Sequence, residues 1–171
     1  MQKVLFTLAL VFALFVFQYD RNEPVKVSLN LPQYEELTQH QKTEVDCLTQ
    51  NIYREAGIEP ESGMIAVGLV TMNRVKTLGF PKTVCKVVKQ KTNSTCQFSW
   101  VCIKKLPRID QQIYSYSRSI AIRVFFNHRI IDDSTLGALF YHADYVSPRW
   151  TKLEVTTKIG RHIFYKPIGE A

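Results

Sequence analysis

The 171-residue chain is 46% hydrophobic and 22% charged, proportions that suit one globular domain with a real core and exclude a disordered or collagen-like chain. Its formal net charge of +7 favours an anionic partner: nucleic acid, an acidic membrane surface or a bacterial envelope. The basic residues are scattered, with no dense basic run carrying interleaved aromatics, which argues against nucleic acid.

In chain order, the first feature is Lys3 followed by an uncharged apolar run, Val4 to Phe17, and then the polar QYDRNEP. A positive start, an apolar run and a polar exit predict an export segment over residues 1–18. The run is shorter than the ~20 residues of a typical membrane span. Bulky Phe15, Val16 and Phe17 leave no small-x-small cleavage pattern. The segment is therefore either a signal peptide or a retained signal anchor that holds the chain to a membrane, and the protein is expected to be exported: periplasmic, membrane-anchored or secreted. A buried helix is the weaker alternative, because the run is apolar on every side. Residues 19–37, broken by Pro24 and Pro32, read as a linker, and residues 38–171 as the folded domain.

A first helix starts near Thr43, where Thr43-x-x-Asp46 resembles a capping box, or at its rival Thr38-x-x-Gln41. Val45, Leu48, Ile52 and Ala56 form one stripe at helical spacing, and Gly57 supplies the stop. A second helix follows Pro60 with Ser62 as its cap and Ile65, Leu69, Met72 and Val75 on one face; Gly79 and Pro81 end it. A short helical turn holds Val84, Val87 and Val88, and residues 91–106 form a polar, cysteine-bound loop. A long helix begins at Pro107, with Ile109, Ile113, Ile120 and Val124 inward. The aromatic run ALFYHADYV suits a buried strand. LEVTTKIGRHIFYK alternates through Leu153, Val155, Thr157 and Ile159, turns near Gly160-Arg161, and resumes with His162, Phe164 and Lys166, which is a hairpin pattern. Helices first and a small antiparallel sheet last make the class α+β.

Four cysteines, Cys47, Cys85, Cys96 and Cys102, lie beyond the export segment. An even number in that context predicts two disulfides. Three pairings are open, and we favour Cys47–Cys102 with Cys85–Cys96, which would tie the first helix to the central loop. A zinc site is disfavoured: the spacings are irregular and no His lies close to a Cys.

One residue breaks the pattern of the first helix. Glu55 lies three residues after Ile52 and seven after Leu48, over the apolar face and at the C-terminal end. The negative end of the helix dipole and partial burial both disfavour its anion. A carboxyl kept protonated in this way suits a general acid. The competing expectation is a solvated Glu at a helix end, paired with Arg54 or Arg74.

The stretch CLTQNIYREAGIEPESGMIAVGLVTMNRVKTLGFPKTVCKVV resembles the SleB-type cell wall hydrolases, the spore cortex-lytic enzymes and their relatives in bacteria and phages. CQFSWVC is similar to that family's central loop, and YHADYVSPRW and IGRHIFYK to its C-terminal signature. The resemblance runs from about Val45 to Lys166 through several separated motifs. It implies a compact, lysozyme-related domain that cuts the glycan strands of peptidoglycan. It also places Glu55, in Tyr53-Arg54-Glu55-Ala56-Gly57-Ile58-Glu59, at the family's catalytic acid. The chain departs from the family at Gly57-Ile58 (Arg-Gly), at Leu139-Phe140 (Thr-His) and at Ile103-Lys104 (Asp-Gly), changes that bear on substrate positioning more than on the acid.

Glycosidic cleavage needs an acid and a means of stabilising positive charge on the sugar. No second carboxylate stands out: Glu59 follows a turn that hides its direction, Glu61 lies beyond it, and Asp144 reaches the site only through tertiary folding. A single acid suffices for a lytic transglycosylase, the reaction associated with the family, and no metal or cofactor is required. Gln97, Phe98, Ser99, Trp100, Tyr141 and His142 are the candidate substrate contacts. Core packing competes for Trp100, and a buried strand with one satisfied His for Tyr141 and His142. Asn73 and Arg74 are expected to support the first helix and to reach towards Glu55. Tyr53, two residues from Glu55, is expected to be structural, as is His162 in its hairpin. The expected partner is peptidoglycan, met by a monomer. The rivals are a muramidase and a non-catalytic peptidoglycan-binding or virion protein of the same fold. A secreted nuclease is disfavoured for want of a paired-carboxylate or His motif suited to metal-dependent chemistry.

Overall fold

The computed structural model describes residues 30–93 and 95–169. The expected export segment and the first part of the linker lie outside the described residues. The packed unit begins at Leu31. A 3₁₀ turn, Tyr34–Glu36, leads into buried Leu37, and Leu31 and Tyr34 pack on the helical core.

Helix α1 spans Gln39–Ala56. Thr38, not Thr43, caps it: Thr38 Oγ1 accepts from Gln41 N at 3.3 Å, and Gln41 Oε1 accepts from Thr38 N at 2.9 Å. Thr43 lies inside the helix and donates to Gln39 O. Reciprocal capping of this kind satisfies two orphan donors. Thr38→Ala is therefore expected to cost ~1 kcal/mol, read as a lower midpoint in denaturant with an unchanged slope.

Helix α2, Glu61–Lys76, has Pro60 as its N-cap, so Ser62 falls in its first turn rather than at the cap. Its buried surface is wider than the expected single face. Leu69 and Met72 are buried as expected, Ile65 and Val75 only partly, and Ala66, Val67 and Val70 are buried too. The reason is position: α2 packs between the other helices and the sheet. Gly68 lets α1 and the last long helix close in, since a Cβ there would lie 3.2 Å from Ile52 and 3.3 Å from Val124.

Helix α3, Val84–Val88, buries Val84, Val87 and Val88 as expected. Its amide of Val84 donates to the buried Glu44 carboxylate at 2.6 Å. The central loop contains two short paired strands, β1 (Lys91–Thr92) and β2 (Thr95–Cys96), and a 3₁₀ turn, Ser99–Cys102. Helix α4 spans Gln111–Asn127. It begins after Asp110 rather than at Pro107, because Asp110 Oδ1 accepts from the amides of Gln112 and Ile113. Ile109 thus precedes the helix and stays exposed, while Ile120 and Val124 are buried.

Strands β3 (Phe140–Ala143), β4 (Leu153–Ile159) and β5 (His162–Pro167) form an antiparallel sheet in the order β3-β5-β4. Phe164 packs with Ala66, Val70 and Ala138 against α2. The expected even alternation along β4 fails. A register shift between Val155 and Thr157 leaves Val155 59% exposed, because a bulge moves later side chains to the other face. The hairpin turn takes Gly160 at φ 56°, where its bare Cα faces the Glu59 carboxylate.

The favoured disulfide pairing is corrected. Cys47 bonds Cys85, and Cys96 bonds Cys102. Packing of α3 on α1 brings the first pair of Cα atoms to 5.2 Å. The 3₁₀ turn brings the second pair to 5.9 Å. The central loop is joined to α1 by packing and a hydrogen bond instead of by a covalent bond.

Candidate active site

Glu55 closes the last turn of α1 and lines two cavities, one of about 690 Å³ and one of about 370 Å³. Arg54, Ala143, Tyr145 and His162 line both as well, so the two are lobes of a groove that meet at Glu55. A third cavity of about 360 Å³ shares Trp100, Ile103 and Leu106 with the larger lobe.

The carboxyl of Glu55 is half-buried. Burial pushes its pKa above the usual carboxylate value, against the smaller opposing effects of the Tyr141 hydrogen bond and the Arg74 charge. Tyr141 Oη donates to Glu55 Oε2 at 3.3 Å. Burial first, then the Glu55 carboxylate, hold the phenol of Tyr141 well above the usual tyrosine range, so it remains a donor.

The Asn73-Arg74 pair does not support α1 in the expected way. Asn73 Nδ2 donates to Asp133 Oδ2 at 2.8 Å and Ala138 O at 3.3 Å, and Asp133 in turn accepts from the amides of Thr135 and Gly137. Arg74 Nε donates to Leu139 O at 2.7 Å. Together they fix the chain that enters β3 and so place Tyr141 over Glu55. Arg74 is 2% exposed, with its guanidinium near the rings of Phe80, Phe98 and Phe140. Burial lowers its pKa to about 10, against the opposing electrostatic influence of Tyr141 and Glu55. Its cation acts on Glu55 through space, without an ion pair. Asn73 reaches Asp133 rather than Glu55.

Gln97, Phe98, Ser99, Trp100, Tyr141 and His142 all line the larger lobe. Phe98 is buried in the core beneath it, while Gln97 and Ser99 are exposed. Trp100 Nε1 donates to the buried Asn51 Oδ1 at 3.2 Å, and Asn51 Nδ2 donates to Thr71 Oγ1. That chain of bonds sets the indole plane at the groove wall. His142 Nδ1 donates to Ala143 O, which leaves Nε2 to accept from Tyr165 Oη, both at 2.8 Å. Tyr53 is structural: its hydroxyl accepts from Asp110 N at 2.9 Å, and its ring meets Tyr114 edge-on.

The other carboxylates near the groove are committed. Glu59 accepts from Arg161 N at 3.0 Å and Arg161 Nε at 2.8 Å. Burial opposes its charge, but the two bonds to Arg161 outweigh it and its pKa is lowered. Glu61 pairs with Arg123 and Asp144 with Lys158. His162 was expected to be structural, and it does sit edge-on to Tyr141. It also walls both lobes, is 6% exposed, and its Nδ1 has no hydrogen-bond partner among the described residues. Burial holds its pKa below the usual histidine value. Asn51, Asp133, Tyr145 and the lock of Glu59 on Arg161 were not singled out from sequence. Asn51, Asp133 and Glu59 each act through a partner distant in the chain, so local spacing carries no signal for them.

The fold and site define an α+β domain with an open groove of polar and aromatic side chains in which, among the described residues, Glu55 is the lining carboxyl without an ion pair. The chain belongs to the cell wall hydrolase family, whose family model matches residues 58–165, a stretch that begins just past Glu55. It is 28% identical over 130 residues to the spore cortex-lytic enzyme of Bacillus cereus, covering 74% of this chain and 46% of that protein. The chain thus spans about half the length of that curated relative. Among solved structures it resembles the catalytic domain of the Bacillus cereus SleB protein, with a TM-score of 0.52 at 26% identity over 73% of this chain and 91% of that one. It also resembles the catalytic domain of the germination-specific lytic transglycosylase SleB from Bacillus anthracis, with a TM-score of 0.55 at 27% identity over 77% and 98% of the two chains.

Proposed function

We propose that the chain cleaves the glycan strands of peptidoglycan as a lytic transglycosylase, with Glu55 as its catalytic acid and base. One observation carries the proposal: Glu55, held towards its protonated form by burial, is the one carboxyl lining the groove without a cation bound to it among the described residues. The likeness to the Bacillus anthracis relative, a germination-specific lytic transglycosylase, supports it.

In this mechanism Glu55 gives its proton to the bridging glycosidic oxygen as the bond from that oxygen to C1 of N-acetylmuramic acid breaks. The carboxylate left behind stabilises the positive sugar, and Tyr141 steadies it through the hydrogen bond to Oε2. The C6 hydroxyl of the same sugar then attacks C1 and returns its proton to Glu55. A 1,6-anhydro ring forms, no water is consumed, and the acid is regenerated. The work takes place in the envelope, reached through the apolar segment at the N-terminus, during phage lysis or cell wall remodelling.

The test is digestion of purified peptidoglycan followed by mass spectrometry. Fragments ending in anhydro-muramic acid, one water lighter than hydrolysed ends, are expected. Reducing ends would make the protein a muramidase, and intact strands with retained binding would make it a binding module.

A further inference from the structure

The smaller lobe beside Glu55 contains two arginines, and they differ in what they are bound to. Arg161 is committed to Glu59, through Nε at 2.8 Å. Arg54 has no carboxylate partner among the described residues, yet it is held in place from two sides. Its Nη2 donates to Pro107 O at 3.3 Å, and its guanidinium lies 5.0 Å from the Tyr53 ring centroid. The Tyr53 ring is itself fixed by the Asp110 amide and by Tyr114. A guanidinium has five N–H donors, and one is spent here. Arg54 lines both lobes at the point where they meet. Neither acid beside it is paired with it: Glu59 is bound to Arg161, and Glu55 accepts from Tyr141.

We propose that this junction is a carboxylate-binding subsite with Arg54 as its cation, so that the protein selects glycan strands bearing carboxylates over neutral ones. The proposal rests on the functional reading above. The ligand carboxylate has two sources in peptidoglycan: a stem peptide, or the lactyl group of a muramic acid whose stem has been removed. A fixed guanidinium that meets a carboxylate bidentately gives charge-assisted bonds, stronger than neutral ones.

The test is binding to the oxidised Glu55→Gln chain, which leaves strands uncut, measured by calorimetry. Three ligands of equal length are compared: stem-bearing strands, strands stripped of stems, and a chitooligosaccharide. The parent is expected to bind at least one carboxylate-bearing strand about tenfold more tightly than the chitooligosaccharide. Adding Arg54→Gln should bring that strand to the neutral level, while Arg54→Lys should keep part of the preference. A preference for stem-bearing strands alone assigns the stem carboxylate, and one for stripped strands assigns the lactyl group. Saturable but equal binding of all three by the parent, or a preference that survives Arg54→Gln, overturns the subsite and leaves the functional reading standing. No binding of any strand overturns both. Thermal melting of each variant shows whether loss of the Pro107 contact has disturbed the fold.

Discussion

Glu55→Gln is expected to fold, to retain peptidoglycan binding and to lose cleavage by a factor of at least ~10². The amide keeps the size of the side chain and can still accept from Tyr141, but it has no proton to give to a leaving oxygen. Two pH dependences should accompany the loss. In wild type the acid must be protonated, so activity should fall as pH rises through the Glu55 pKa. Burial places that limb above the usual carboxylate range, while Tyr141 and Arg74, the groups acting on Glu55, limit how far. His162, held below its usual range by burial, can titrate over the same span, so a limb that belongs to Glu55 should persist in His162→Gln. The second dependence concerns stability. The folded-state pKa of Glu55 is raised, so its neutral form contributes stability below the unfolded pKa, and that contribution is lost as pH rises through the folded value. Wild type should therefore melt below Glu55→Gln at high pH, with the gap closing in acid. Undiminished cleavage by Glu55→Gln would remove Glu55 as the catalyst. A constant melting gap across pH would show that the folded-state pKa of Glu55 is not raised.

The helix period and the motif pointed to Glu55 because both are local: register along one helix says which side chains share a face. What surrounds Glu55 is not local. Tyr141 reaches it from 86 residues away, and Arg161 removes Glu59 from competition across 102. Neither contact leaves a periodic trace. Asn73 and Arg74 bond to Asp133, Ala138 and Leu139 on the approach to β3 rather than to α1, contacts 60 or more residues apart that helical spacing does not reveal. The class, helices followed by a three-stranded sheet, was legible from the change of period from helical to alternating. The starts of α2 and α4 and the bulge in β4 were not, because the backbone donors of the first turn and an extra strand residue can be met at several neighbouring positions. The disulfide pairing depended on which helices touch, and four cysteines permit three answers.

The corrected pairing separates stability from activity. Cys47–Cys85 spans 38 residues, and Cys47→Ala with Cys85→Ala is expected to cost about 4 kcal/mol in the chain-entropy account. Cys96–Cys102 spans 6 residues, and the same account gives about 2 kcal/mol for Cys96→Ala with Cys102→Ala. Denaturant midpoints of the two double variants give the order directly. Activity should rank the other way in protein that remains folded. The long bridge ties α1 to α3, and neither Cys47 nor Cys85 lines the cavities around Glu55. The short bridge closes the segment that carries Gln97, Phe98, Ser99 and Trp100 into the larger lobe. Without it, no covalent tie closes that wall, which is left to the burial of Phe98, the bond from Trp100 to Asn51, the bond from Gln97 N to Gln90 O and the β1–β2 pairing. The Cys96/Cys102 variant should thus stay folded and lose most of its cleavage and strand binding, while the Cys47/Cys85 variant, assayed well below its melting temperature, should keep both. Equal activity in the two would show that the groove wall does not depend on its own bridge.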